Sequence, residues 1–312
     1  MEPRVSRRAI LAGGAALLAR AASRDKLKVS VFSKHLQFLQ GEDLAKAAAG
    51  IGFDGVDITL RKGGHVKPEH VRQDLPPLVS IIRKHGLEVQ MVTTDIVDPD
   101  TPCAEDILKT LADLGIHYYR FMPSGGFKYV ADRPYDVQLA SFRPRIARLA
   151  ALNQRYQTCA MYHTHSGRGF VGASFWDLPI IMKDIDPKWV GVNYDVAHAT
   201  VEGGLGGWIN SFHITQPHLR GIAVKDVSWG KDVKGVWQPQ WQPIGQGMVH
   251  FDEFFGMLAA ANFAGPVQMH YEYPLGGANN GNRNISMSKE EIFAAMKRDL
   301  SKVRAYLGKV NL

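Results

Sequence analysis

Short apolar segments alternate with helical segments along almost the whole chain, and this alternation constrains the fold more than any other feature. Eight segments of strand length are each followed by a segment with helical spacing. The predicted strands are Leu27–Phe32, Val56–Leu60, Leu87–Thr93, Ile116–Met122, Tyr156–Met161, Trp189–Asp195, Leu219–Lys225 and Val267–Glu272. The predicted helices are Glu42–Ala49, Pro68–His85, Glu105–Leu114, Tyr135–Asn153, Leu178–Asp184, Gly206–His213, Phe251–Asn262 and Lys289–Leu307. Such alternation is typical of parallel strands joined by helices.

The number of units selects among the α/β folds. Eight strand–helix units over about 285 residues are the usual content of a (β/α)8 TIM barrel. A doubly wound sheet is the alternative, but no glycine-rich phosphate turn follows the first predicted strand. Hydrophobic residues make up 45% of the chain, which is enough for one large core, and no linker or low-complexity segment divides it. We therefore expect a single α/β domain, a TIM barrel, over residues 25–312.

The first 22 residues have the pattern of an export signal. Arg7 and Arg8 stand directly before an apolar run, Ala9 to Ala19, and Ala19-Arg20-Ala21 supplies a cleavage site with small residues on either side. The run is too short to span a bilayer. We expect a twin-arginine-type signal and a periplasmic location, with a basic N-terminal arm as the alternative.

The charge and cysteine content exclude several classes of protein. The net charge is +7, but the basic residues beyond the signal are scattered, with no run of five or more, so no nucleic-acid partner is expected. No other segment approaches transmembrane length, so no stable membrane insertion is expected after signal removal. Cys103 and Cys159 form neither a disulfide framework nor a metal-binding pair with C-x-x-C spacing.

Four of the predicted strands end in charged or metal-binding side chains. His163 and His165 follow the fifth strand, and Asp195, Lys225 and Glu272 end the next three. In a barrel of parallel strands these ends converge on one mouth, which carries the chemistry. Side chains two residues apart in a strand share a face. His270 lies two residues before Glu272, so its side chain is expected to face the same mouth as the Glu272 side chain.

Taken together, four motifs resemble those of the xylose isomerase-like TIM-barrel superfamily, the sugar phosphate isomerases and epimerases that include relatives of D-tagatose 3-epimerase and inosose dehydratase. The motifs are Tyr162-His163-Thr164-His165, Asp195-Val196-Ala197-His198, Val224-Lys225-Asp226 and Tyr271-Glu272-Tyr273-Pro274. The resemblance covers the whole mature chain. It implies a divalent-metal-dependent isomerase or epimerase that abstracts a proton next to the carbonyl of a sugar or keto-sugar.

The resemblance also implies a set of metal ligands, from which this chain departs at one position. The corresponding positions are His163, Asp195, Ala223 and Glu272. Ala223 has no donor atom, so His270 or His165 is expected to take the place of the missing ligand. Imidazole and carboxylate donors together suit one divalent ion of Zn, Mn, Fe, Co or Ni, and the sequence does not select among them.

Lys225, His198 and Glu272 are the predicted catalytic residues. A lysine beside a divalent cation loses its proton more readily and can act as a base, although an ion pair with a neighbouring acid is the alternative role. The resemblance implies that His198, expected in a loop after the sixth strand, contacts the substrate or a second metal. Its alternative is a surface histidine. Glu272 is expected to serve both as a ligand and in catalysis.

A long polar and aromatic loop is predicted from Asp226 to His250. Tryptophan faces stack well on the apolar faces of sugar rings, and a loop after a barrel strand can cover the mouth. Trp229 and Trp237, together with His165, are therefore the predicted substrate-binding residues. The alternative is a hydrophobic anchor or a contact between two copies of the chain in a homo-oligomer.

Two other functions are compatible with these residues. A lyase or dehydratase of the inosose dehydratase type shares the same first step, and the altered ligand set is compatible with it. A non-catalytic carbohydrate-binding barrel would keep the fold without the metal. A nuclease related to endonuclease IV is disfavoured, because its trinuclear site needs more histidine and acidic ligands. A small carbohydrate is thus the expected partner, and phosphorylation of it is less expected outside the cytoplasm.

The N-terminal pattern generates a direct prediction. Export with cleavage should remove residues 1–22, so mass spectrometry of protein from the native cell envelope should find a chain that starts near Ala22. An intact N-terminus in a cytoplasmic fraction would contradict the prediction. Replacing Arg7 and Arg8 by lysines should leave the precursor uncleaved.

Overall fold

The computed structural model describes residues 26–121 and 127–312. The predicted export signal and Met122, at the end of the fourth predicted strand, lie outside them. The strands are β1 (Val29–Phe32), β2 (Gly55–Leu60), β3 (Met91–Thr94), β4 (Tyr118–Phe121), β5 (Cys159–His163), β6 (Val190–Asp195), β7 (Leu219–Val224), β8 (Asp226–Lys231), β9 (Trp237–Gln242) and β10 (Val267–Met269). Eight of them, all except β8 and β9, form a closed barrel.

Parallel pairing runs through the whole barrel. Each strand from β1 to β6 pairs with the next in the chain, and β10 pairs with both β7 and β1, which closes the ring. The α-helices of the described residues are α1 (Gly41–Ile51), α2 (Val71–Lys84), α3 (Ala104–Asp113), α4 (Tyr135–Tyr156), α5 (Asp177–Ile181), α6 (Val196–Gly203), α7 (Gly207–Thr215), α8 (Phe251–Ala260) and α9 (Lys289–Lys309). Four 3-10 turns cover Ser33–Leu36, Pro68–His70, Gln216–His218 and Ala278–Asn280. The predicted single-domain (β/α)8 TIM barrel is therefore confirmed.

The barrel interior changes from apolar at one level to polar at the mouth. Met91 and Met161 belong to a small buried apolar cluster. The amide of Gln268 reaches across the barrel from β10 to β3, with 3.3 Å between its Nε2 and Sδ of Met91. One pleat further along their strands, His163 follows Met161 and His270 follows Gln268, so the alternation of a strand directs both histidines into the mouth.

Among the strands that differ from their predicted bounds, β5 covers Cys159–His163 instead of Tyr156–Met161, because α4 continues to Tyr156, and β10 is shorter than predicted. β10 stops at Met269 although an extended segment to Glu272 is predicted, because its neighbour β1 turns into a 3-10 turn after Phe32. The backbone N–H of His270 still donates to the carbonyl of Val224 at 3.0 Å. The segment from 270 to 272 therefore continues the line of the strand outside the regular pairing.

Two segments that the sequence predicts as loops contain regular secondary structure. His198 lies on the helix α6 rather than in a loop, because the Asp195 side chain caps that helix and accepts from the backbone N–H groups of Ala197 and His198. The predicted loop from 226 to 250 contains the antiparallel hairpin β8–β9. The Asp226 carboxylate holds its base, since it accepts from the backbone N–H groups of Gly245 and Gly247 at 2.8 and 2.9 Å.

Within the described ranges, no helix combines the length and the apolar character that a membrane crossing requires. Cys103 and Cys159 are both free.

Close approach between the segment before β10 and β7 generates a stability prediction. A Cβ atom added to Gly265 would lie 1.9 Å from the backbone carbonyl oxygen of Arg220. Gly265→Ala should therefore lower the free energy of unfolding by about 3 kcal/mol, the scale of a forced overpacking. Urea unfolding followed by circular dichroism measures this loss.

A matched control lies in the next helix toward the N-terminus. Gly256 lies inside α8, and an added Cβ there meets no heavy atom within 4 Å. Gly256→Ala should be neutral or stabilising by up to about 1 kcal/mol, because alanine favours the helix over glycine. Equal stabilities for the two variants would contradict the packing seen at Gly265.

Candidate active site

A cavity of about 260 Å³ opens at the C-terminal ends of the barrel strands. Its wall includes four cationic side chains, Lys34, Arg61, Arg120 and Lys225, together with four histidines and the side chains of Phe32, Trp241 and Glu272. A larger cavity of about 590 Å³ lies beside Leu27 and Leu312, at the opposite end of the barrel. The smaller cavity is the candidate active site, because the chemistry of this barrel type is carried by the C-terminal face.

Three buried ligand groups meet at the bottom of this cavity. His163 ends β5, Asp195 ends β6, and His270 follows β10. One ligand atom from each of the three lies within 4.8 Å of the other two. Nε2 of His163 is 3.6 Å from Oδ2 of Asp195, and the rings of His163 and His270 stack with 5.4 Å between centroids. These three residues are called the triad below.

The hydrogen bonds around the triad leave specific atoms free. Nε2 of His270 lies 2.8 Å from the Gln268 amide oxygen, so the ring proton is placed there and Nδ1 is left as an acceptor. Oδ1 of Asp195 accepts from two backbone N–H groups of α6 at 3.1 Å each. Nδ1 of His270 is buried without a hydrogen-bond partner among the described residues, and Oδ2 of Asp195 has no partner there except the Lys225 ammonium, 3.2 Å away. A buried ring nitrogen is rarely left without a donor, and a bound cation would satisfy it together with the carboxylate.

The electrostatics of the triad suit metal coordination. Burial, followed by the positive charges of Arg120 and Lys225, holds the pKa of the His163 imidazole well below its usual range. Burial and the same two charges do so for His270. Both rings are therefore neutral at physiological pH, which is the form that binds a metal. Burial raises the pKa of Asp195, and the Lys225 ammonium opposes this rise. The residues present fit a divalent metal.

Lys225 lies between the triad and a chain of polar groups. Its Nζ is 3.2 Å from Oδ2 of Asp195 and 2.8 Å from Nε2 of His198. Nδ1 of His198 in turn contacts the Ser166 hydroxyl at 2.7 Å. The Lys225 ammonium also lies 4.4 Å from the centroid of the Trp241 ring, a cation–π distance. His198 is buried, and burial together with Lys225 holds its pKa well below the usual range.

Glu272 faces the cavity beside a lysine that the sequence does not single out. Its two carboxylate oxygens lie 3.3 and 3.2 Å from Nζ of Lys34. Burial favours a higher pKa for Glu272, but the charges of Lys225 and Lys34 outweigh it and lower the pKa to about 2. The carboxylate is therefore ionised at neutral pH. Oε1 of Glu272 is 3.9 Å from Nδ1 of His270, just beyond the triad.

The predicted substrate-binding residues do not all lie at the cavity. His165 lines it, with its ring centroid 4.0 Å from that of His198, and burial followed by Lys225 lowers its pKa to about 4. Trp229 and Trp237 are 42% and 61% exposed and are not among the lining residues. Trp241 lines the cavity instead, because it pairs with Val227 near the base of the hairpin.

Three lining residues, on or just after the first, second and fourth strands, are not among the residues predicted from sequence. Lys34 lies two residues after β1 and Arg61 directly after β2, so the rule that strand ends converge on the mouth also applies to them. Arg120 lies within β4, and nothing in its local sequence distinguishes it from a surface arginine. Its position is visible only in the closed barrel.

Comparison with known proteins decides the family. The family model of the xylose isomerase-like TIM barrel matches residues 45–291. The chain belongs to this family. The resemblance carried by the four strand-end motifs is thereby confirmed, and the family assignment covers the strands that supply all three triad residues.

Solved structures with the same fold include three at low sequence identity. A D-tagatose 3-epimerase-like protein is 16% identical, with 91% of this chain and 98% of that chain covered and a TM-score of 0.64. The 3-keto-D-glucoside 4-epimerase YcjR from E. coli is 17% identical, with 90% and 100% covered and a TM-score of 0.62. The IOLI protein, solved with a zinc atom, is 14% identical, with 90% and 99% covered and a TM-score of 0.66. No curated protein sequence matches the chain at a significant level.

Proposed function

We propose that this protein is a divalent-metal-dependent isomerase or epimerase that acts on a sugar or keto-sugar by proton transfer next to a carbonyl group. The observation that carries the proposal is the buried triad, in which one ligand atom of each residue lies within 4.8 Å of the other two and Nδ1 of His270 has no hydrogen-bond partner among the described residues. Membership of the xylose isomerase-like family supports it, as do the sugar epimerases among the solved structures with the same fold. Export to the periplasm remains a proposal that rests on the N-terminal sequence.

His163, Asp195 and His270 are the proposed ligands. His270 takes the place of the histidine that the family has at the position of Ala223, since Ala223 pairs with Gln268 in the neighbouring strand and His270 is one pleat further on. Two imidazoles and one carboxylate suit Zn, Mn, Fe, Co or Ni. A divalent ion held there would polarise the substrate carbonyl and stabilise the negative charge that develops on its oxygen.

The protein's own groups would move the proton. Glu272 is ionised and held in place by Lys34, so it can accept a proton from the carbon next to the carbonyl. Lys225 is the second proton-transfer group, since its Nζ lines the cavity 3.2 Å from Oδ2 of Asp195 and can exchange a proton with the substrate. Return of a proton to the neighbouring carbon gives isomerisation, and return to the opposite face of the same carbon gives epimerisation. His198 and Ser166 orient Lys225 through their hydrogen bonds.

Metal content distinguishes the ligands from the groups around them. Asp195→Asn and His270→Gln should each reduce bound metal from stoichiometric to trace, because each removes one of three donors. Glu272→Gln should keep most of the metal but lose turnover, since its carboxylate lies outside the triad. Elemental analysis of protein loaded with Zn²⁺ or Mn²⁺ and freed of excess ion measures this. Full metal content in both triad variants would contradict the proposed site.

Turnover tests the role of Lys225. Lys225→Met keeps the aliphatic stem and removes the ammonium, so turnover should fall by about 10²-fold or more, the usual scale for a lost proton-transfer group. The assay follows a panel of ketoses and 3-keto-glucosides by product chromatography, which also separates epimers from elimination products. Lys231→Met, in the exposed part of the hairpin, is the matched control and should be unaffected. Normal turnover of Lys225→Met would leave Lys225 only as the ion-pair partner of Asp195.

A further inference from the structure

One wall of the cavity carries a buried cation without a partner. Arg120, on β4, is only 6% exposed, and its Nε and Nη1 atoms have no hydrogen-bond partner among the described residues. A buried guanidinium with two unused N–H donors is costly, because the desolvation of its charge is only partly compensated. Burial, followed by the charge of Arg61, lowers the Arg120 pKa to about 10, so the group stays charged at neutral pH.

A second guanidinium lies on the same aromatic ring. The guanidinium carbons of Arg61 and Arg120 are 5.5 and 5.4 Å from the centroid of Phe32. Both residues line the cavity, and within the described parts of the chain neither forms an ion pair with a carboxylate. Phe32 therefore holds two cationic groups at one side of the cavity and leaves their N–H donors available.

The acids of the cavity region do not neutralise this pair. Asp195 is paired with Lys225 and Glu272 with Lys34. Asp57 is the remaining buried acid near the two arginines, and the Thr93 hydroxyl donates to its oxygens at 2.8 and 3.0 Å. Burial raises its pKa to about 7, so it carries only part of a negative charge at neutral pH. The cavity thus holds an excess of positive charge on the side of Phe32.

We propose that Arg61 and Arg120 bind an anionic group of the substrate, a carboxylate or a phosphate, so that the enzyme acts on an acidic sugar. This deepens the proposed function and rests on it for the identity of the bound molecule as the substrate. Guanidinium groups match both kinds of anion through paired N–H donors. The cavity volume of about 260 Å³ is smaller than the roughly 300–1,000 Å³ of sites for drug-sized ligands, so the expected ligand is small, such as a single sugar unit.

Phe32 also links the arginine pair to the triad. Its ring stacks on that of His270 with 4.7 Å between centroids. The two arginines and His270 of the triad therefore contact the same aromatic ring, and a molecule bound to the arginines and the triad would extend along it. The anionic group would lie at one end of the sugar and the carbonyl carbon at the other, beside Glu272 and Lys225. Binding of the anionic group would thus position the substrate and determine which carbon lies beside the proton-transfer groups.

Binding to metal-free protein tests the inference apart from catalysis. The probes are D-fructose, D-fructuronate and D-fructose 6-phosphate, which share a ketose backbone and differ at carbon 6. After removal of metal with EDTA, calorimetry should give at least about tenfold tighter binding for one of the acidic probes than for D-fructose. Tighter binding of the fructuronate identifies a sugar acid, and tighter binding of the phosphate ester identifies a sugar phosphate. Equal binding of all three overturns the inference.

Variants of the two arginines test whether they cause the preference for acidic probes. Arg61→Gln and Arg120→Gln should each reduce the acidic preference about tenfold, and Arg61→Lys should restore only part of it because it keeps the charge without the planar fork. Arg155→Gln is the control, since Arg155 is exposed and pairs with Glu105 outside the cavity. Retention of the full preference in both Gln variants overturns the assignment. Arg61 is only half-buried, so Arg61→Gln is expected to fold. It therefore tests the assignment if Arg120→Gln folds poorly.

The melting temperature of an Arg120 variant distinguishes a role in ligand binding from a purely structural role of Arg120. If Arg120 is kept for a ligand, Arg120→Met should raise the melting temperature of the ligand-free protein, because it removes an unpartnered buried charge. If Arg120 instead stabilises the fold through Asp57, the melting temperature should fall while the acidic preference survives. A failed proposed function would appear differently, as probe binding without turnover when metal is restored.

Discussion

The buried carboxylate of Asp195 is the interaction on which the rest of the site depends. Its Oδ1 caps the helix that carries His198, while its Oδ2 faces His163 and the Lys225 ammonium. A carboxylate with no exposure would be unfavourable alone. Here it is compensated by two backbone N–H groups and one cation, and it fixes the positions of three functional side chains from β5, α6 and the end of β7. The C-terminal face of the barrel is organised around this one group.

The cavity combines two kinds of functional group. At the triad and beside it, neutral imidazoles, the Asp195 carboxyl group and the ionised Glu272 carboxylate can hold a cation and exchange protons. Toward Phe32, two guanidinium groups lack carboxylate partners in the described residues. A sugar that bound the arginines through an acidic end and the triad through its carbonyl group would have one preferred orientation. Orientation of the reacting carbon is a large part of what an isomerase must provide.

Strand-end residues could be predicted from sequence because strand periodicity and barrel topology leave few alternatives for them. His163, Asp195 and His270 follow apolar runs, and closure of the parallel barrel brings those ends together. The helix at Val196–Gly203 was not predictable, because it is short and starts from a side-chain cap that only the folded strand end presents. The role of Arg120 was likewise not predictable. An arginine within a strand becomes a buried, unpartnered cation only through its neighbours across the barrel, and those are distant in sequence.

The location of a bound metal tests the central claim most directly. Crystals grown with Mn²⁺ or Zn²⁺ and measured at the absorption edge of the metal should give one anomalous peak among Nε2 of His163, Oδ2 of Asp195 and Nδ1 of His270. Distances of about 2.0–2.2 Å to these atoms are expected for zinc, with the Lys225 ammonium displaced from Asp195. A peak elsewhere, or no peak with Lys225 still bound to Asp195 at saturating metal, would contradict the account.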